Sequence, residues 1–207
     1  AVNFAISAIV SRVFGQDQQG AQDNGTRAQI PPSNVNAIPI VYGDAYLGGT
    51  FVDAVLSTDQ KTMYYVLAVS CISPDGQFTF DTTDMYYGDR LIAFDGTDHT
   101  KVISLEDEAH NIDTKISGNL YISLYKSSAS GTITSLNGAS APNVVMGGAD
   151  IDSALRWPSS GRQMNGLAFA IIKLNYNTDA GTTSLSPITF HASHTLNSTG
   201  VAKPGDV

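Results

Sequence analysis

The sequence predicts a mainly β fold, a barrel or sandwich of short strands preceded by a short N-terminal helix and an extended arm. Three observations carry that expectation. Short apolar runs bounded by turn residues recur from residue 38 onward. One of them, residues 63–72, is apolar almost throughout, as expected of a strand inside a sheet covered on both faces. The stretch before residue 38 follows neither pattern.

In that leading stretch Val2, Ile6, Ile9, Val10 and Val13 recur at i, i+4, i+7, i+8 and i+11, a helical stripe ended by Gly15. A helix so short is marginal alone in water and needs a surface to pack on. Residues 16–36 are rich in Gln, Asn and Gly and close on Pro31-Pro32, the composition of an arm with little to bury. Residues 1–37 are therefore expected to dock on neighbouring subunits, and residues 38–207 to form the β-rich part.

Strands are expected at residues 38–43, 45–57 and 62–73, the last two joined by a hairpin over 57–61. Further strands are expected at 76–82, 86–94, 101–105, 119–126, 166–177 and 188–193. Turn signals separate them, among them Pro74-Asp75-Gly76, Asp95-Gly96 and Asn137-Gly138. Residues 127–147 are small and polar and read as a long loop, and 150–156 as a helical turn stopped by Pro158. No internal repeat of about 20–50 residues is seen.

The 207 residues are 42% hydrophobic, enough for a substantial core, and only 14% charged. The polar surface is thus largely Ser, Thr, Asn, Gln and Gly, which suits sheets that meet neighbours. A formal net charge of −8, with eleven thinly spread basic residues, argues against tight binding to nucleic acid or anionic membranes. No apolar run approaches the roughly 20 residues of a membrane-spanning helix. The single cysteine, Cys71, excludes an internal disulfide and is expected to be a small core residue. The chain begins with Ala rather than Met, so it is expected to be either processed or a piece of a longer protein.

The chemistry-bearing residues form no diagnostic set. His99, His110, His191 and His194 are accompanied by no G-x-S-x-G nucleophile elbow. His191 and His194 could both reach a metal, and His99 lies beside Asp95 and Asp98, yet neither group has a third ligand at a telling spacing. The plainer expectation is a hairpin turn for DGTDHT and a solvated strand end for HASHT. Asp81/Asp84, Glu106-Asp107-Glu108 and Asp150/Asp152 read as surface or capping carboxylates, with LEDEAH resembling the opening of a helix. Gly48-Gly49 suggests a bulge or a close backbone approach, and Gly147-Gly148 lacks the pattern of a phosphate loop. Asn24-Gly-Thr26 and Asn197-Ser-Thr199 match glycosylation acceptors. Tyr64-Tyr65 and Tyr86-Tyr87 straddle the two faces of a strand, one ring of each packing inside. Trp157 is expected to pack in the core, with an interface anchor as the alternative. No residue is assigned to catalysis, cofactor binding or metal binding, and a non-enzymatic protein is expected.

Residues 38–70, IPIVYGDAYLGGTFVDAVLSTDQKTMYYVLAVS, resemble a segment near the start of siphophage tail tip proteins. These are the host-specificity protein J family and the related hub proteins of gene transfer agents. The shared order is a proline, a hydrophobic–Tyr–Gly step, a Gly-containing strand, a polar hairpin and a hydrophobic strand. The likeness continues more loosely through residues 156–177 and 187–193. It implies a structural component of the virion: a baseplate hub, assembled as a homotrimer, that closes the distal end of the tail tube and links it to the host-recognition apparatus. The implied partners are the distal tail protein, the tape measure protein and other tail tip proteins. Two alternatives remain from the residues themselves, a carbohydrate-binding or adhesin β-module and a β-fold hydrolase or lyase.

Overall fold

A computed structural model describes residues 37–57, 60–74, 76–140 and 164–195. They are all-strand: β1 (Gly43–Leu47), β2 (Thr50–Leu56), β3 (Thr62–Cys71), β4 (Gln77–Phe80), β5 (Tyr86–Tyr87), β6 (Arg90–Phe94), β7 (Val102–Glu106), β8 (Ile112–Asp113), β9 (Leu120–Ser127), β10 (Ile133–Ser135), β11 (Leu167–Asn175) and β12 (Ile188–Thr195). The expected N-terminal helix and arm, Asp150, Asp152, Trp157 and both glycosylation matches lie outside the described residues.

The strands make two antiparallel sheets, and neither closes into a barrel. One runs β10-β9-β11-β3-β2; the other runs β1-β12-β5-β6-β7-β8, with β4 also paired to β12. β3 and β11, the longest strands, pair along their whole lengths with one shift of register at Ala168/Phe169. Both are rich in β-branched, aromatic and aliphatic residues because each is flanked by neighbours and buried on two faces. Alternation then sorts the side chains. Tyr65, Leu67, Val69, Ala168, Ala170 and Ile172 face the second sheet, where they meet Ile92, Leu105, Ile188 and Phe190 in one core. Tyr64, Val66, Ala68, Phe169 and Ile171 face the other way into a smaller cluster with Tyr125 and Met164. Tyr64 and Tyr65 are therefore both buried, a departure from the expectation that one of them faces outward. Their two faces each have a cover.

Several further expectations need correction. Residues 86–94 are not one strand: the chain turns at Gly88-Asp89, so that β5 and β6 pair as a tight hairpin. LEDEAH opens no helix. β7 runs through Glu106, and the Asp107 carboxylate accepts hydrogen bonds from the Ala109 and Asn111 amides, which folds the chain back into β8. The 127–147 segment is not all loop, since β10 pairs with β9. Cys71 ends β3 half-buried rather than in the core, and desolvation raises its thiol pKa. Gly49 does mark a close approach, because a Cβ there would lie 2.8 Å from Cβ of Leu67.

Asn137, just after β10, shows how the polar interior is satisfied. Its Oδ1 accepts from the Leu124 amide at 3.0 Å, while its Nδ2 donates to the Ile122 carbonyl at 2.7 Å and the His99 carbonyl at 3.1 Å. One buried side chain thus ties β9 to the β6–β7 turn. Replacing Asn137 with Ala leaves a buried amide unpaired and is expected to cost about 2–3 kcal/mol. Denaturant unfolding of the variant checks this; a loss below about 0.5 kcal/mol, the range of a surface change, contradicts it.

Candidate functional site

β12 carries the residues of most chemical interest, and the positions of its neighbours create their setting. β4 and β5 occupy the same edge of β12 one after the other, pairing with residues 192–195 and 188–189 respectively. His191 stands opposite the gap between them. The 81–84 turn bulges there, anchored by the Asp81 amide donating to the His191 carbonyl at 2.9 Å. On the other edge of β12, Tyr46 of β1 lies directly opposite His191.

The result is an imidazole enclosed by three carboxylates and a phenol ring. Nε2 of His191 lies 2.7 Å from Asp44 Oδ1, and Nδ1 lies 3.1 Å from Asp84 Oδ2 and 3.7 Å from Asp81 Oδ2. The Nδ1–Asp84 approach has ion-pair distance without hydrogen-bond alignment. The Tyr46 ring stacks on the imidazole with centroids 4.3 Å apart, and its hydroxyl donates to Asp84. That bond to a carboxylate is the main reason the Tyr46 phenol is pushed up to about 12. Asp81 is held below the usual carboxylate range, chiefly by the Thr83 hydroxyl and amide.

Nε2 of His191 is at hydrogen-bond distance from Asp44, Nδ1 lies near Asp84 and Asp81 without an aligned bond, and the ring face is covered by Tyr46. The arrangement works as a polar clamp joining β1, β12 and the 81–84 turn. Among the described residues, no trio of His, Cys, Asp and Glu side chains is disposed to hold a metal ion.

His194 does not join His191. Three residues apart on a strand means opposite faces, so His191 lies on the outer face and His194 inside, where it is 1% exposed. HASHT is thus not a solvated strand end. His194 Nε2 accepts from the Ser73 amide at 3.3 Å, which leaves Nδ1 to donate to the Val41 carbonyl at 2.9 Å. The side chain is a strut between the segment before β1 and the β3–β4 turn. Gly76 is required beside it, because a Cβ there would come within 2.5 Å of His194 Nε2 and 2.3 Å of the Thr195 carbonyl oxygen.

The other histidines stay apart. DGTDHT is the expected hairpin turn, with Asp95 accepting from the Thr97 and Asp98 amides. His110 pairs with Glu106 on the surface, which raises its pKa. Asp44 and Tyr46 were not singled out in the sequence; only the β1–β12 register brings them to His191. No protein-family model matches the chain, and no curated protein matches its sequence. Among the described residues no helix is long and apolar enough to cross a membrane.

In Asp84→Ala the Tyr46 phenol is expected to titrate nearer its ordinary value of 10.0 than about 12. A raised phenol pKa adds stability that is full below the unfolded value and lost as pH climbs through the folded one. The wild type should therefore lose more stability than Asp84→Ala between pH 10 and 12. Ultraviolet titration of the tyrosines and unfolding across that range check this; identical profiles contradict it.

Proposed function

We propose that the chain is a structural subunit of a phage tail tip, a baseplate hub that closes the distal end of the tail tube and links it to the host-recognition apparatus. The observation that best supports the reading is the apolar free edge of the five-stranded sheet. β2 ends that sheet, and where β2 leaves β3 the segment before β1 takes over the same edge. There the Cys71 amide donates to the Pro39 carbonyl at 2.9 Å and the Val41 amide to Ser70 Oγ at 3.1 Å. Along this edge Ile40, Tyr42, Val52 and Leu56 are 65%, 57%, 41% and 39% exposed.

Proteins that work alone usually blunt such an edge with charge, proline or a cover. Apolar side chains left open in a row mark a contact with another chain, by strand addition or by packing. In the proposed assembly three copies form a ring, residues 1–37 dock on neighbouring subunits, and the distal tail and tape measure proteins meet the ring above. A surface rich in hydroxyl and amide side chains, with only 14% of residues charged, suits such contacts. In this reading the protein performs no catalysis, and the His191 clamp serves the fold.

Sedimentation equilibrium of the purified chain should give three times the chain mass. The double variant Val52→Lys/Leu56→Lys should weaken assembly about tenfold or more. It should unfold at nearly the wild-type midpoint, since both side chains lie at the surface. A wild-type chain that stays monomeric and soluble at every concentration tested counts against the hub.

A further inference from the structure

β2 ends the five-stranded sheet, so one side of its backbone faces no strand of that sheet. The apolar side chains along this edge are open, but its backbone is guarded in two ways. The first is a break in register between Phe51 and Asp53, a bulge that leaves Val52 out of the ladder with β3. A regular partner strand can follow β2 only from Asp53 onward.

The second is a single carboxylate. In an antiparallel ladder the backbone groups of successive residues point alternately to the partner strand and away from it. The Ser57 amide donates to the Thr62 carbonyl at 2.8 Å. Counting back from there, Val55 and Asp53 also face β3, whereas Leu56 and Ala54 turn their backbone groups outward. The outward amide of Ala54 donates to Asp53 Oδ1 at 2.9 Å. Asp53 thus lays its carboxylate along the edge of its own strand, over a donor that a further strand would need.

The stretch it covers is complementary to itself. If β2 is set antiparallel to β2 of a second copy about a twofold axis at Val55, Ala54 stands opposite Leu56 in both directions. Val55 stands opposite its own counterpart. All of these pairs are apolar, and the outward amides and carbonyls of Ala54 and Leu56 would bond to one another. Such pairing is the ordinary hazard of an open apolar edge.

We propose that Asp53 keeps β2 from pairing with β2 of a second copy, by occupying the Ala54 amide and by placing a negative charge where the incoming backbone would lie. An arriving strand has to break the carboxylate from its bond and enclose it, and a charge enclosed without a partner is costly. The edge is left to contacts through side chains such as Ile40, Tyr42 and Leu56, which need no backbone pairing. The inference holds whether or not the chain is a hub subunit, because it concerns only the backbone of β2.

Disulfide trapping on the full chain tests it. In the pairing described, Val55 lies about 4.5 Å from its counterpart between Cα atoms, a separation that a disulfide spans. Val55→Cys is placed in a Cys71→Ser background, and oxidation is carried out at a concentration where the wild type sediments as single copies. With Asp53 present, linked dimers should stay at a low background. Asp53→Ala and Asp53→Val, neither of which offers an acceptor to Ala54, should each raise the linked fraction by about tenfold or more. Adding Ala54→Pro removes the outward donor without removing a bond to β3, and should return the yield to background. Three results would each overturn the proposal: equal yields with and without Asp53, no linked dimer in either variant, or a high yield that survives Ala54→Pro. The mass of the wild-type particle, which tests the hub, is measured separately, so either idea can fail alone.

Discussion

Burial between the two sheets is the constraint from which the other features follow. Leu67, Ile122, Ala170 and Ile172 of one sheet, and Ile92, Leu105, Ile188 and Phe190 of the other, share a single core. Each is removed from water only while the sheets stay face to face. Apolar burial, at about 25 cal/mol per Å2, is the dominant favourable contribution in a domain of this kind. It fixes register as well, since a slip of one residue in β3 would carry Leu67 and Val69 to the opposite face. β3 escapes the usual penalty for such a slip only in part, because its second face is apolar too. Pairing with β11 along the whole strand is what sets the register there.

Two buried polar side chains, Asn137 and His194, show how donors and acceptors are matched inside. Asn137 pairs three backbone groups of β9 and the β6–β7 turn. His194 uses one ring nitrogen as donor and the other as acceptor. Asn137 lies just past β10, and His194 reaches Ser73 and Val41 outside the named strands, where backbone groups would otherwise go unsatisfied. The same logic applies on the outer face, where the break between β4 and β5 exposes one position of β12. His191 fills it, and Asp44, Asp81, Asp84 and Tyr46 close around it. An isolated feature of this kind resembles an active site in composition. Its groups hold β1, β12 and the 81–84 turn together, with Nε2 of His191 on Asp44 and the Tyr46 ring stacked on the imidazole.

The edge formed by β2 and residues 39–42 carries exposed apolar side chains, Ile40, Tyr42, Val52 and Leu56, which favours protein contact.

The sequence by itself determined the class of fold and most of its strands. Alternation, β-branched runs and turn residues are local signals, and they place β3, β9, β11 and β12 close to where they occur. It also shows neither a G-x-S-x-G elbow nor a glycine-rich phosphate-loop pattern. What it could not supply was everything carried by pairing between distant segments. The split of residues 86–94 into two strands, the short β10, and the fold-back at Asp107 each depend on which partner a segment meets. So does the fate of the histidines: HASHT reads as a polar strand end, yet β1, β4 and β5 crowd β12 and bury one ring completely. The grouping of Asp44, Tyr46, Asp84 and His191 follows from sheet order alone, and sheet order is decided by the burial of whole faces rather than by any one segment.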